Sequence, residues 1–204
     1  MNPPTHSSEL TDPLIIVTGL PRSGTSLLVS LLAAGGYPIL TDHVRPPDAD
    51  NPRGYYEYEL VKSLMRDNAW LHQQRGRAVK IISTLLPFVP PGIPLKVIFI
   101  QRDIGEVLAS QSAMLARAGK APIADPTVLE SAFQKQLTAT RALLNARPLT
   151  EQLPLHYHEV IRDPAAAIAQ LIDFLPALHD REAMLRVVEP GLYRQRSKPL
   201  PLHA

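Results

Sequence analysis

The chain has 204 residues, 45% hydrophobic and 20% charged, which is globular usage: enough for one well-buried core, too short for two domains of ordinary size and too apolar for disorder throughout. Lys and Arg number 21 against 19 Asp and Glu, so the net charge is only +2, and the pI near 9.0 reflects how little titrates between His and the Tyr/Lys range rather than a polyanion-binding surface. There is no Cys, no apolar run of the roughly 18–20 residues that a membrane span needs, and no basic start with an apolar stretch in Met1–Pro13. These features point to a cytoplasmic chain with no nucleic-acid partner, no membrane span, no disulfide and no thiolate metal site.

Residues 1–13 are polar and read as a flexible N-terminal segment. Leu14 to Thr18 is an unbroken apolar run between Pro13 and Gly19, the pattern of a buried parallel strand. A turn from Gly19 to Gly24 leads into a Leu- and Ala-rich helix over Thr25 to Ala34, stopped by Gly35-Gly36. Tyr37 to Leu40 suggests a minor strand, and Thr41 to Gly54, with Pro46, Pro47 and Pro52, a long loop of the kind that usually carries function. Leu60, Leu64, Asn68 and Leu71 give Glu57 to Arg75 a helical spacing.

A second apolar run, Ala78 to Ser83, is interrupted by Lys80 and followed by a Pro-rich connector over 87–94. Val97 to Ile100 is the clearest strand of the sequence. Asp103 and Glu106 form a capping box for a helix to about Arg117, and Asp125-Pro126 opens another to about Asn145. Leu153 to Tyr157 reads as a last strand, Asp163-Pro164 as the cap of a helix to Leu175, and Arg181 to Val188 as the final helix. Strands alternating with helices predict an α/β fold, a three-layer α/β/α sandwich with a mainly parallel central sheet, and the loop after the first strand makes the expected type P-loop nucleotide-binding. One domain over residues 14–198 and a tail over 199–204 complete the expected organisation.

The turn after the first strand is the most informative segment. Gly19-Leu20-Pro21-Arg22-Ser23-Gly24-Thr25-Ser26 stands between a strand and a helix, where glycines let backbone N–H groups curl around an anion. Gly19, Gly24 and Ser26 fit the spacing of the nucleotide-hydrolase loop, but Thr25 occupies the position of its lysine and a cation stands instead at Arg22. That exchange counts against ATP or GTP chemistry. Gln101-Arg102-Asp103 runs off the clear strand into a capped helix carrying Ser110, so a guanidinium with a planar fork for phosphate oxygens stands at the same sheet edge as the first loop.

Leu20 to Ser26 resembles the 5′-phosphosulfate loop of sulfotransferases, whose donor is 3′-phosphoadenylyl sulfate; the P-R-S-G-T form is similar to that of tyrosylprotein and bacterial members. The resemblance extends from Leu14 to about Lys198. It implies that Pro21, Arg22, Ser23, Gly24, Thr25 and Ser26 hold the 5′-phosphate and that Arg102 and Ser110 hold the 3′-phosphate. Arg194 and Arg196, in the basic segment Tyr193 to Lys198, are either completion of that donor site or a solvated tail. His156 to Pro164 is similar to an architectural strand–turn–helix of the family, and no other His stands at metal-ligand spacing to its two histidines, so no metal site is expected.

The implied reaction is sulfuryl transfer to an acceptor hydroxyl, which needs in-line geometry, stabilisation of the leaving phosphate and a base. Arg22 and the loop N–H groups suit the developing charge, the protein itself supplying the cation. Lys80 is costly in an apolar strand unless it reaches an anion, and it matches the lysine of the family's K-T-H strand, where Ile82 replaces the histidine that serves as base. The base must lie elsewhere or be absent. His43 comes first, beside Asp42 at the distance past Arg22 where tyrosylprotein members carry a glutamate; Glu57 comes second, with Glu59 nearby. Tyr55, Tyr56 and Tyr58 with Trp70 read either as an acceptor wall or as packing core, so carbohydrate, small metabolite and tyrosine all stay open as acceptors. A P-loop small-molecule kinase and a catalytically inactive nucleotide-binding domain are the alternative readings.

Overall fold

The structure, a computed structural model, describes residues 12–42, 44–48, 51, 54–189, 191 and 193. Four parallel strands form its sheet: β1 (Leu14–Thr18), β2 (Ala78–Lys80), β3 (Leu95–Gln101) and β4 (Thr150–His156), in the order β2-β1-β3-β4. The helices are α1 (Thr25–Ala34), α2 (Ile104–Arg117), α3 (Pro126–Ala146), α4 (Tyr157–Arg162), α5 (Pro164–Phe174) and α6 (Arg181–Val187).

Both faces of the sheet are covered, which is why β1 and β3 read as continuous apolar runs rather than alternating ones. Ile15, Val17, Ile98 and Ile100 point into a core with Leu28, Leu31 and Leu32 of α1, Ile168 and Leu171 of α5, and Met184 of α6. Leu14, Ile16, Val97 and Phe99 point the other way, to Leu137 and Leu144 of α3 and to Leu64, Leu71 and Leu86. The result is the expected three-layer α/β/α arrangement. Because β1 has β2 on one side and β3 on the other, the loops leaving β1 and β3 diverge from a switch point at the carboxyl edge, where open α/β sheets bind ligands.

Three expectations need correction. Glu57 to Arg75 is not one helix but two short 3₁₀ helices, Glu59–Ser63 and Ala69–Gln73. Asp67 and Asn68 lie between them: Asp67 Oδ1 accepts from the Ala69 N–H at 3.2 Å, a local bond that competes with helix continuation, and Asn68 Nδ2 donates to the distant Phe88 carbonyl at 2.8 Å. Val61, Leu64 and Leu71 are buried all the same, while Leu60 is exposed. Tyr37–Leu40 makes only an isolated bridge, Ile39 to Ala78, since Pro38 can accept from Ala78 but has no N–H to extend the ladder. The strand in the second apolar run ends at Lys80, and a 3₁₀ helix over Ser83–Phe88 follows, with Pro87 inside it. A further element was not anticipated: α4 follows β4 directly, where a strand residue at Tyr157 and then a turn were expected.

Candidate active site

The loop after β1 is closed locally. The Ser23 N–H donates to the Leu20 carbonyl at 3.2 Å and the Ser23 hydroxyl donates to the same oxygen at 2.7 Å, so this side chain, buried in the turn, secures the loop. Two residues take left-handed backbone, Arg22 at φ 67° and Gly24 at φ 106°. At Gly24 a Cβ would also stand 2.4 Å from Tyr157 Cδ2, and at Gly19 one would stand 2.6 Å from the Ile100 carbonyl, so close packing on β3 and α4 accounts for both glycines. Gly24 caps α1 without a side chain and the first turn of α1 has no acid, which leaves a helix N-terminus fit for an anion. A cavity of about 370 Å³ opens over it, lined by Pro21, Arg22, Gly24, Thr25 and Ser26 of this loop.

Lys80 enters the cavity from the end of β2. Its side chain is 8% exposed and lies 3.7 Å from Glu57 Oε1. Its ammonium donates to the Tyr55 carbonyl and stands 3.5 Å from Ser26 Oγ. Burial holds the Lys80 amine down at about 8, against the pull of Glu57. Arg45 Nη1 donates to Glu57 Oε1 at 3.0 Å and its guanidinium lies 3.2 Å from the centre of the Tyr55 ring. The Tyr55 hydroxyl reaches both carboxylate oxygens of Asp48 at 2.8 Å. Arg45, Tyr55 and Glu57 are thus held together along one wall of the cavity, and Asp42 is a turn residue: it accepts from the Val44 N–H at 3.1 Å and the Glu59 N–H at 2.5 Å, which hold its carboxyl below the usual range.

The third side of the cavity comes from the end of β3 and from α2. Arg22 Nε donates to Ser110 Oγ at 3.1 Å, and Arg102 Nη1 donates to the Arg22 carbonyl at 3.3 Å. Arg102 Nε also donates to Glu106 Oε2 at 2.9 Å, an ion pair with both side chains nearly buried. The Tyr157 and Tyr193 rings flank the Arg102 guanidinium at 4.5 and 5.3 Å and meet each other edge to face. The Tyr193 hydroxyl donates to Glu106 Oε1 at 2.6 Å; burial and then that carboxylate push it up to about 12.

One cavity thus gathers Pro21, Arg22, Gly24, Thr25, Ser26, Glu57, Lys80, Arg102 and Ser110 among the residues singled out in the sequence, while Ser23 lies beneath it. His43, Arg194 and Arg196 lie outside the described residues. The aromatic cluster divides: Tyr55 lines the cavity, whereas Tyr58 packs edge-on against Trp70 at 5.4 Å. Reading the sequence missed Arg45, Tyr157, Met114 and Arg117 as lining residues; the i, i+3, i+4 spacing of Tyr157, Val160 and Ile161 was the available signal for α4. Among the described residues no group of three or more His, Asp or Glu could hold a metal ion, and no helix is long and apolar enough to cross a membrane.

No protein-family model and no curated protein matches this sequence. The fold is similar to that of the sulfotransferase domain from the curacin biosynthetic pathway, with a TM-score of 0.55 and 16% identity over 87% of this chain and 78% of that one. The sulfotransferase domain of the Synechococcus PCC 7002 olefin synthase gives a TM-score of 0.53 and 18% identity over 94% and 90% of the two chains. Mouse sulfotransferase SULT7A1, solved in complex with PAP, gives 0.52 and 16% over 87% and 62%. The chain has a sulfotransferase fold.

Proposed function

We propose that the chain is a sulfotransferase that moves a sulfuryl group from 3′-phosphoadenylyl sulfate to an acceptor hydroxyl, releasing adenosine 3′,5′-bisphosphate. The observation that carries this reading is the convergence of Arg22, Lys80, Arg102 and the uncapped start of α1 on one cavity. Such a cluster suits a ligand carrying two separate phosphate groups, on a fold similar to sulfotransferase domains. Thr25 and Ser26, with the first N–H groups of α1, hold the 5′-phosphate; Arg102 and Ser110 hold the 3′-phosphate. The acceptor oxygen attacks sulfur as the bond from sulfur to the 5′-phosphate oxygen breaks, and Arg22 and Lys80 stabilise the charge that this oxygen gains. Glu57 takes the acceptor proton: it and Glu189 are the carboxylates among the described lining residues, and only Glu57 stands beside Lys80. His43 is the rival for that role.

Thermal unfolding with adenosine 3′,5′-bisphosphate, ADP and ATP, each with Mg²⁺ and with EDTA, tests the reading. A ligand at about 100 times its Kd adds roughly 2.7 kcal/mol of stability. Stabilisation by the bisphosphate without metal is expected; a shift confined to ATP with Mg²⁺ would replace this reading with a kinase. Turnover across a panel of carbohydrate, phenolic and peptide acceptors then separates an active enzyme from a nucleotide-binding domain.

A further inference from the structure

Glu106 is an acid that neither the capping of α2 nor the transfer chemistry uses up. At the third position of α2 its backbone N–H donates to Asp103 Oδ1 at 3.0 Å, one half of a capping box. Its carboxylate goes elsewhere, to Arg102 Nε at 2.9 Å and the Tyr193 hydroxyl at 2.6 Å. Capping alone does not require a buried charge, and burying a carboxylate with a guanidinium carries a desolvation cost that only good geometry offsets. Here the geometry is good. The ion pair leaves 8% of the Arg102 side chain and 5% of the Glu106 side chain exposed, and the Tyr157 and Tyr193 rings close on the guanidinium from two sides.

Arg102 passes this constraint on. With Nε tied to Glu106, its Nη1 donates to the carbonyl of Arg22, a residue with left-handed backbone at φ 67°. We propose that Glu106, held by Tyr193, is a positioning residue that fixes the Arg102 fork toward the cavity and so sets the preference for a 3′-phosphorylated nucleotide. This rests on the donor reading given above, in which Arg102 meets the 3′-phosphate. The Glu106 carboxylate itself touches Arg102 and need not touch the ligand.

The test compares dissociation constants for adenosine 3′,5′-bisphosphate and AMP, which differ only in the 3′-phosphate, in wild type, Glu106→Gln and Tyr193→Phe. Glu106→Gln keeps the side-chain volume and removes the charge. We expect it to narrow the preference for the bisphosphate by about tenfold or more, with AMP affinity within about threefold of wild type; Tyr193→Phe should narrow it about threefold. A merely structural role would lower the melting temperature and weaken both nucleotides alike. An unchanged ratio overturns the proposal. So does a tighter bisphosphate complex in Glu106→Gln, which would mean that Glu106 only screens Arg102. If Glu106→Gln does not fold, Tyr193→Phe decides on the same criterion. A wild type that binds both nucleotides equally sinks the donor reading and this proposal with it; a wild type with a clear preference that neither variant narrows sinks this proposal alone.

Discussion

Lys80 shows how a site side chain is shaped by its surroundings. Burial disfavours its charge, and the nearby Arg45 adds to that, while Glu57 opposes both. With an amine at about 8 in the folded state and 10.5 ordinarily, the unfolded chain binds more protons between those values, so stability relative to Lys80→Met should rise from pH 8 toward pH 10.5. The full gain is roughly 3 kcal/mol, measurable by denaturant unfolding of both proteins across that range. Under the proposed transfer, kcat/KM should likewise fall above about pH 8 as Lys80 loses its proton. Arg22→Ala should lower turnover by about 100-fold or more, the loss seen when one preorganised charge-stabilising group is removed; near wild-type turnover in that variant would overturn the mechanism.

At the scale of elements, the join of β1 to α1 depends on Gly24. Its left-handed φ of 106° and the 2.4 Å approach of a Cβ to the Tyr157 ring combine strain and overpacking in Gly24→Ala. We expect a cost of about 2–4 kcal/mol, read as a melting temperature lower by roughly 5–15 °C for a domain of this size. Elements were legible in the sequence where one local signal dominates. β1 and β3 are continuous apolar runs, α2, α3 and α5 begin at Asp caps, and each of these appears within two or three residues of its expected bounds. The segment 57–75 was misread because Leu60, Leu64, Asn68 and Leu71 recur at helical spacing, whereas the side chains that reach the core are Val61, Leu64 and Leu71, and Leu60 is exposed. The local bond of Asp67 and the reach of Asn68 to Phe88 mark the break between the two 3₁₀ helices.

For the whole molecule, the sheet order brings the loops after β1, β2 and β3 to one edge and lets the two cores support them. Leu31 is fully buried in α1 beneath this arrangement and away from the cavity lining. Leu31→Ala should cost about 2–5 kcal/mol while leaving the Kd for adenosine 3′,5′-bisphosphate within about twofold, which calorimetry and a binding titration would establish. A large loss of affinity would mean that the loop is not held independently of that core position.

The sequence alone determined the alternation of strands and helices, the anion-ready loop of Gly19 to Ser26 and the cation at the end of β3, because each is encoded within a few neighbouring residues. Only the tertiary structure decided who meets whom. Arg22 bonds Ser110 across 88 positions, Tyr193 reaches Glu106 across 87, and Lys80 finds the Tyr55 carbonyl across 25. Such partners are set by the order of strands in the sheet and by the packing of helices on its two faces, and no local spacing in the chain records them.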